Sequence, residues 1–304
     1  MASAAELVSA GGILDRDAET RMQEQLLDAA WGEPNTLILR IAPGGRLPIA
    51  QYEDRQGLDL VEVRGARDPE YFYLGRVRGV ALFCVAAEPD SDDERYPEPE
   101  GGWQHPFVIG GALSSLEIEV MTVALALVNW HASMPLSARD GGQTAIAQGG
   151  WARIDAQGGE HFPRTDPAVI VLVEHGDRVL LGSNVLWETG RFSLLAGFVE
   201  AGESAEQAVL REVQEEAGVP LENVRYVSSQ PWPFPRSLML GYRASLAAGA
   251  DPEALCPDPT EISELRWFTR AELRHPSPEL KLPGTLSIAR ALINLWVAEG
   301  DSEQ

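Results

Sequence analysis

The stretch "GFVEAGESAEQAVLREVQEEAGV", Gly197 to Val219, carries two patterns that conflict. Its second half reads as a helix. Ser204 is suited to cap the N-terminus, with Gln207 three residues on as in a capping box, and Gly218 stands where a left-handed C-terminal cap belongs. Ala205, Ala208, Val209 and Val213 form one apolar stripe at helical spacing. Glu212, Glu215 and Glu216 lie at i, i+3 and i+4 and share a face. At ~100° per residue, Glu212 and Glu216 point into the sector of the apolar stripe, with Glu215 at its edge. A buried carboxylate is costly unless it is paired, protonated or metal-bound, and clustered carboxylates repel one another. Hard divalent cations, Mg²⁺ or Mn²⁺, remove that cost and bridge to substrate phosphates. The helix therefore reads as one that faces a metal-filled cleft. A merely solvated acidic helix would leave Gly197, Glu203 and Arg211 unexplained.

The surrounding chain is consistent with a globular enzyme. Its 304 residues suit two domains, and 44% hydrophobic with 23% charged residues is enough to build real cores. No N-terminal stretch has the basic-then-apolar layout of a signal peptide. The longest apolar run, "VMTVALALV" (Val120 to Val128), is too short to span a bilayer. The expectation is a soluble, cytoplasmic protein with no membrane partner. A net charge of −22 repels nucleic acid and anionic membranes. No DNA partner is expected, and a phosphate-bearing substrate needs cations at its site. Cys84 and Cys256 are too few for a disulfide framework and too far apart for a metal knuckle.

Periodicity divides the chain in three. Residues 1–130 read as an N-terminal unit. "TLILRIAPGGRLPIAQYE", "LDLVEVRG" and "EYFYLGRVRGVALFCVAAE" are strands punctuated by Gly and Pro, and "SSLEIEVMTVALALVNWHA" is a helix capped near Ser114 or Ser115. The acidic, Pro-rich run from Glu88 to Gly102 reads as a solvated, mobile loop. Residues 131–162 are a Gly-rich connector with room for short strands. Residues 163–304 form the second domain, with a hairpin at "AVIVLVEHGDRVLLG" and two strands around "SQPWPFPRS". "ELRWFTRAEL" and a last helix near Ser287 to Val297 close it. Mixed strands and helices point to the α+β or α/β class.

Gly197, five residues, Glu203, seven residues and then "REVQEEAGV" match every fixed position of the Nudix box, and in this the chain resembles the Nudix hydrolases. The resemblance implies a C-terminal α/β/α sandwich beside a smaller N-terminal mixed α+β domain. It also implies metal-assisted attack of water on a pyrophosphate phosphorus. Carried over, Glu212, Glu215 and Glu216 are metal ligands or the base, Arg211 orients a carboxylate, and Glu203 supports the junction between loop and helix. "SQPWPFPRS" (Ser229 to Ser237) looks like the signature of the NudC-type NAD(H) pyrophosphatases. Three prolines pin its backbone, and Trp232 and Phe234 supply aromatic surface for planar rings. Gln230, Pro231, Trp232, Pro233, Phe234, Pro235, Arg236 and Ser237 thereby become substrate-binding candidates. The similarity extends over residues 160–300. It implies that Glu261 is a late metal ligand and that Ala196 offers its backbone carbonyl to metal. It further implies that Ile170, Phe198, Met239 and Ala289 line the nicotinamide nucleotide pocket, and that Phe162 reaches the partner's site in a homodimer.

Two features depart from that family. Its zinc-ribbon cysteines are missing: Ser137, Asp140, Asp155 and Gly158 take the four positions, and Asp and Ser are poor ligands for tetrahedral zinc. Zinc is not expected, even with His131 and His161 nearby. "FVIGGALSSL" (Phe107 to Leu116) is apolar where the family often has a basic substrate contact. The leading reading is hydrolysis of NAD(H) to NMN(H) and AMP, with removal of NAD caps from RNA 5′ ends as a variant of the same chemistry. A broad dinucleotide or ADP-ribose pyrophosphatase is the alternative. A non-cleaving dinucleotide sensor is disfavoured by the complete set Glu203, Arg211, Glu212, Glu215 and Glu216.

Overall fold

The computed structural model describes residues 14–52, 55–89 and 96–300. Residues 90–95 of the acidic loop lie outside that range. The chain forms two compact units: residues 14–165 with the tip Pro233–Arg236, and Asp166–Trp232 with residues 237–300. The connector thus groups with the N-terminal elements.

The first unit begins with helices α1 (Ala18–Arg21) and α2 (Glu24–Trp31). Strands β1 (Leu37–Ile41), β4 (Leu60–Glu62), β5 (Phe72–Val77) and β6 (Val80–Ala86) make a sheet in the order β4-β1-β6-β5, with β1 and β6 parallel. A second, small sheet joins β2 (Leu47–Gln51) to β3 (Gln56–Leu58) and β7 (Trp103–Gln104). After the single turn α3 (Pro106–Ile109) comes α4 (Ser115–Ser133), which packs on β1, β5 and β6. Its capping box pairs Ser114 with Glu117, which makes Ser114 the cap of the two serines offered by the sequence. Leu27, Trp31, Ile38, Tyr73 and Phe83 fill the core.

The connector folds as a three-stranded sheet, β10 (Glu160–His161), β9 (Ala152–Ile154) and β8 (Ala145–Ala147). Its two turns close at the positions that the resemblance assigns to zinc-ribbon cysteines. Asp140 accepts from Gly142 N at 2.9 Å. Asp155 accepts from Gln157 N at 3.0 Å, from Gly159 N at 2.7 Å and from His161 Nε2 at 3.1 Å. The Gly159 bond comes first in holding the Asp155 carboxyl below its ordinary value. Buried His131 ties the connector to α4: Nε2 donates to Gly150 O at 2.8 Å, and Nδ1 accepts from Arg153 at 2.9 Å. A carbonyl only accepts and a guanidinium only donates, so these partners fix the tautomer. Burial pushes the imidazole down to about 4.

The second unit is a six-stranded mixed sheet between two helices. Its order is β14 (Leu221–Trp232), β15 (Ser237–Leu246), β11 (Asp166–His175), β12 (Arg178–Asn184), β16 (Ile262–Thr269), with β13 (Leu195–Phe198) added to β11. β11 explains the layering. Val169, Val171 and Val173 pack on Ala208, Val209 and Val213 of helix α5 (Ala205–Ala217). The alternate residues Ile170 and Leu172 pack on Ile288, Ala289 and Leu292, on the other side of the sheet. A strand buried on both faces must be apolar throughout, which is why "AVIVLV" shows no alternation. After β16 the chain adds the short α6 (Arg270–Arg274) and then the closing helix α7 (Ile288–Glu299), which carries Ala289 and Leu292. The α/β/α sandwich and the mixed N-terminal domain are as the resemblance implies. Both sequence hairpins form, one through Gly176 and one with Trp232 opposite Ser237. No helix of the described residues is long and apolar enough to cross a membrane.

Hydrogen bonds thus close the connector where cysteines would bind metal. We expect purified protein to carry well below one zinc per chain by elemental analysis, and to stay folded in strong chelators. His131→Leu takes away the partner of Gly150 O and of one Arg153 terminal nitrogen and should cost about 1–3 kcal/mol in urea unfolding. A chelator-induced loss of structure would overturn this account.

Candidate active site

The strand pairing delivers the carboxylate helix. β15 occupies one edge of β11. β12 leaves the other edge after pairing residues 173–175, and β13 takes the vacated part, with Val169 opposite Gly197 and Ile170 opposite Ala196. The chain then turns through Gly202 into α5. The helix is bounded as its sequence indicates, by the reciprocal Ser204–Gln207 capping box and by Gly218 at φ 70°. Gly197 is required by space. A Cβ there would lie 2.0 Å from Glu212 Cδ.

Arg211 is the hub. Its Nε and one terminal nitrogen grip both Glu203 oxygens, each at 2.9 Å. The same nitrogen donates to Phe198 O at 2.9 Å. The other donates to Glu212 at 2.9 Å and Glu215 at 3.0 Å. This two-pronged pairing, led by Glu203, strengthens the guanidinium's hold on its proton and keeps the Glu203 carboxyl below its ordinary value. Glu203 also accepts from Glu200 N at 3.1 Å, which closes the loop before the helix.

Glu216 lies on the inward side, 7% exposed. The backbone of Ala196 hydrogen-bonds its carboxylate, but Oε2 is buried with no partner. Burial first, then the charges of Glu212 and Glu261, push its carboxyl up to about 8. Burial likewise raises Glu212. A buried acceptor without a donor, ringed by like charges, is a group that favours a cation. The donor set is all oxygen, which suits Mg²⁺ or Mn²⁺. Among the described residues no three acidic or imidazole groups converge tightly enough to chelate as they stand. Arg211 holds Glu212 and Glu215 instead.

The structure brings Ala196, Phe198, Glu203, Arg211, Glu212, Glu215 and Glu216 together, and backbone bonds link the loop carrying Glu261 to the end of α5. The other candidates are distributed differently. Ile170 and Ala289 are buried in the core beneath α7, with Met239 packed at its edge. Gln230 is buried too: it donates to Leu286 O and accepts from Ile288 N, each at 2.7 Å, and so fastens the start of α7. Phe198 is 59% exposed. Pro231, Trp232 and Ser237 stay with the sandwich, whereas Pro233, Phe234, Pro235 and Arg236 group with the first unit, as does Phe162. There Asn129 donates to Pro233 O at 2.8 Å and Phe234 packs on Phe107, 4.7 Å between ring centres. Asn129 and Phe107 escape a sequence reading. The only signal is a lone amide at the end of an apolar helix and an aromatic in the segment where the resemblance implies a basic residue.

Residues 164–287 match the NUDIX domain family. The NAD-capped RNA hydrolase NudC of Mycobacterium bovis (strain BCG / Pasteur 1173P2) is 39% identical over 297 residues, covering 93% of this chain and 92% of that protein. This chain belongs to the Nudix hydrolases, of the NudC type. The NAD-capped RNA hydrolase NudC of Stutzerimonas stutzeri (strain A1501) is 47% identical over 143 residues, 47% of this chain and 48% of that one. Among solved structures, a NUDIX hydrolase from Nitrosomonas europaea aligns with a TM-score of 0.44 at 22% identity, covering 56% of this chain and 94% of that one. Nudix hydrolases generally use divalent cations such as Mg²⁺ or Mn²⁺.

Glu216 has a consequence for stability. Between its ordinary 4.5 and about 8, the folded Nudix domain keeps a proton that the unfolded chain has released. Stability without metal therefore falls as pH rises through that window. Glu216→Gln is neutral throughout. Above pH 8 its metal-free Tm should exceed wild type by at least about 2 °C, while pyrophosphate hydrolysis falls ~100-fold or more. Parallel melting curves for the two proteins across that pH range would sink the assignment.

Proposed function

We propose that this chain hydrolyses the pyrophosphate of NAD(H) to NMN(H) and AMP with Mg²⁺ or Mn²⁺, and removes NAD caps from RNA by the same chemistry. The carrying observation is the buried, unpartnered oxygen of Glu216 beside Glu212 and the Ala196 backbone. The end-to-end similarity to a relative named as an NAD-capped RNA hydrolase supports the substrate class. Glu212, Glu216, Glu261 and the Ala196 carbonyl would hold the cation, with Glu215 at the solvent edge. When bound, such a cation polarises phosphate oxygens and lowers the pKa of water. The residues do the rest. Arg211 holds Glu212 in place and, through Glu203 and Phe198 O, locks the loop to the helix. One of the glutamates Glu212, Glu215 and Glu216 would take a proton from the attacking water. The stiff Pro-aromatic segment from Pro231 to Ser237 would bind the planar end of the dinucleotide.

The test is an HPLC assay of NADH, NAD⁺ and NAD-capped RNA with Mn²⁺. The expected products are NMN(H) with AMP, or NMN with 5′-monophosphate RNA. Folded protein that cleaves only ADP-ribose or diadenosine compounds would favour the broad pyrophosphatase reading instead.

Assembly is part of the proposal. Phe162 is 59% exposed beside Pro163, and an exposed aromatic ring on a stiff segment suits an interface or a planar ligand. We expect a homodimer by light scattering. Phe162→Ala should stay dimeric and raise KM for NADH. A monomeric wild type with full activity would remove the shared-site idea.

A further inference from the structure

The loop that carries Glu261 is bolted to the carboxylate helix at two points. Cys256 N donates to Ala217 O at 2.9 Å, and Asp258 N donates to Glu216 O at 3.3 Å. Both carbonyls belong to the last turn of α5, which has no helical donors left for them. Asp258 then folds the loop back on itself. Its Oδ1 accepts from Thr260 N and Thr260 Oγ1, each at 2.8 Å. Its backbone carbonyl accepts from Glu261 N at 3.1 Å and Ile262 N at 2.7 Å. On the far side, Glu261 O accepts from Val185 N at 2.8 Å, where β12 ends. Glu261 is therefore suspended between α5 and β12, and one residue makes the connection to the helix, to Thr260 and to Glu261 itself.

We propose that Asp258 is the positioning residue of the site: its carboxylate sets the turn that aims Glu261 at the Glu212–Glu216 face. The inference rests on the metal-site reading given above. Glu261 is exposed and has no protein partner pinning its side chain among the hydrogen bonds and ion pairs of the described residues, so the direction of its carboxylate depends on its backbone. That backbone is held by the turn Asp258 closes. Two interpretations of Asp258 make opposite forecasts. If its charge is what matters, an amide will not replace it. If its acceptor oxygen is what matters, an amide will, because Asn offers Oδ1 to the same two donors.

The experiment measures binding of Mn²⁺ alone by electron paramagnetic resonance, with Tm recorded for every variant. Glu261→Gln and Asp258→Ala should each weaken Mn²⁺ binding by ~10-fold or more, the usual effect of losing a ligand's orienting partner. Asp258→Asn should bind as wild type does. In steady-state assays, the Mn²⁺ activation constant of Asp258→Ala should rise more than kcat falls, which a purely structural lesion would not produce. If Asp258→Ala fails to fold, Thr260→Val serves, since it removes one of the two donors to Oδ1 and should weaken Mn²⁺ binding in the same direction by less. Wild-type affinity in Asp258→Ala or Thr260→Val, with Glu261→Gln impaired, would overturn the positioning role alone. An Asp258→Asn protein as weak as Asp258→Ala would also overturn it. If Glu261→Gln itself binds Mn²⁺ normally, the metal-site reading fails first and this inference falls with it.

Discussion

The paired grip of Arg211 on Glu203 is the constraint on which the site depends. Four glutamates crowd one loop and one helix, and a single guanidinium pairs with three of them. Arg211 joins the loop to the helix through Glu203 and Phe198 O, and still reaches Glu212 and Glu215. It does not reach Glu216. The acidic cluster is thus paired at its solvent side and left without a donor at its inner side. A fork of this geometry is directional in a way that a lysine is not, so the cluster keeps its shape despite its repulsion. The unanswered oxygen is the one the proposed cation would take up.

The sheet makes that arrangement affordable for a folded protein. β11 is buried on both faces, and its two sets of alternating residues bind α5 on one side and α7 on the other. The helix that must present carboxylates is therefore anchored by Ala208, Val209 and Val213, all fully buried. β12 diverges from β11 and β13 fills the gap, and this brings Gly197 against Glu212. A glycine at the opening of the motif is thus a matter of clearance. Electrostatic strain at Glu216 is carried by ordinary hydrophobic packing a turn away, the usual division between a destabilised site and a stable scaffold.

The connector solves a different problem with the same chemistry. At the positions that the resemblance assigns to cysteines, Asp140 and Asp155 hold backbone N–H groups. A carboxylate on two N–H donors organises a tight turn much as a metal-bound thiolate would, without requiring a metal. His131 and Trp151 then fix the small sheet to the N-terminal unit, through Gly150 O and Tyr73 O.

The sequence by itself determined the elements whose causes are local. The box helix was legible with both its caps, because the capping box, the left-handed glycine and the 3.6-residue stripe all act within a few residues. The hairpins were legible from their turns, and the burial of Glu216 from its phase against Val209 and Val213. The box residues were legible as a set because their spacing is rigid. Only the tertiary structure decided what depends on distant pairing. Ile170 and Ala289 have the same apolar character whether they line a pocket or fill a core, and the sheet's alternation put them in the core. Gln230 looks like a ligand-binding amide in sequence, yet its partners are the backbone of residues 286 and 288. The tip Pro233–Arg236 groups with the N-terminal unit because Asn129 and Phe107, more than a hundred residues earlier, supply its partners. Asp258 carries no periodic signal at all. Its role exists only because the loop before β16 returns to the end of α5, and a hydrogen bond across that separation is invisible until the chain has closed it.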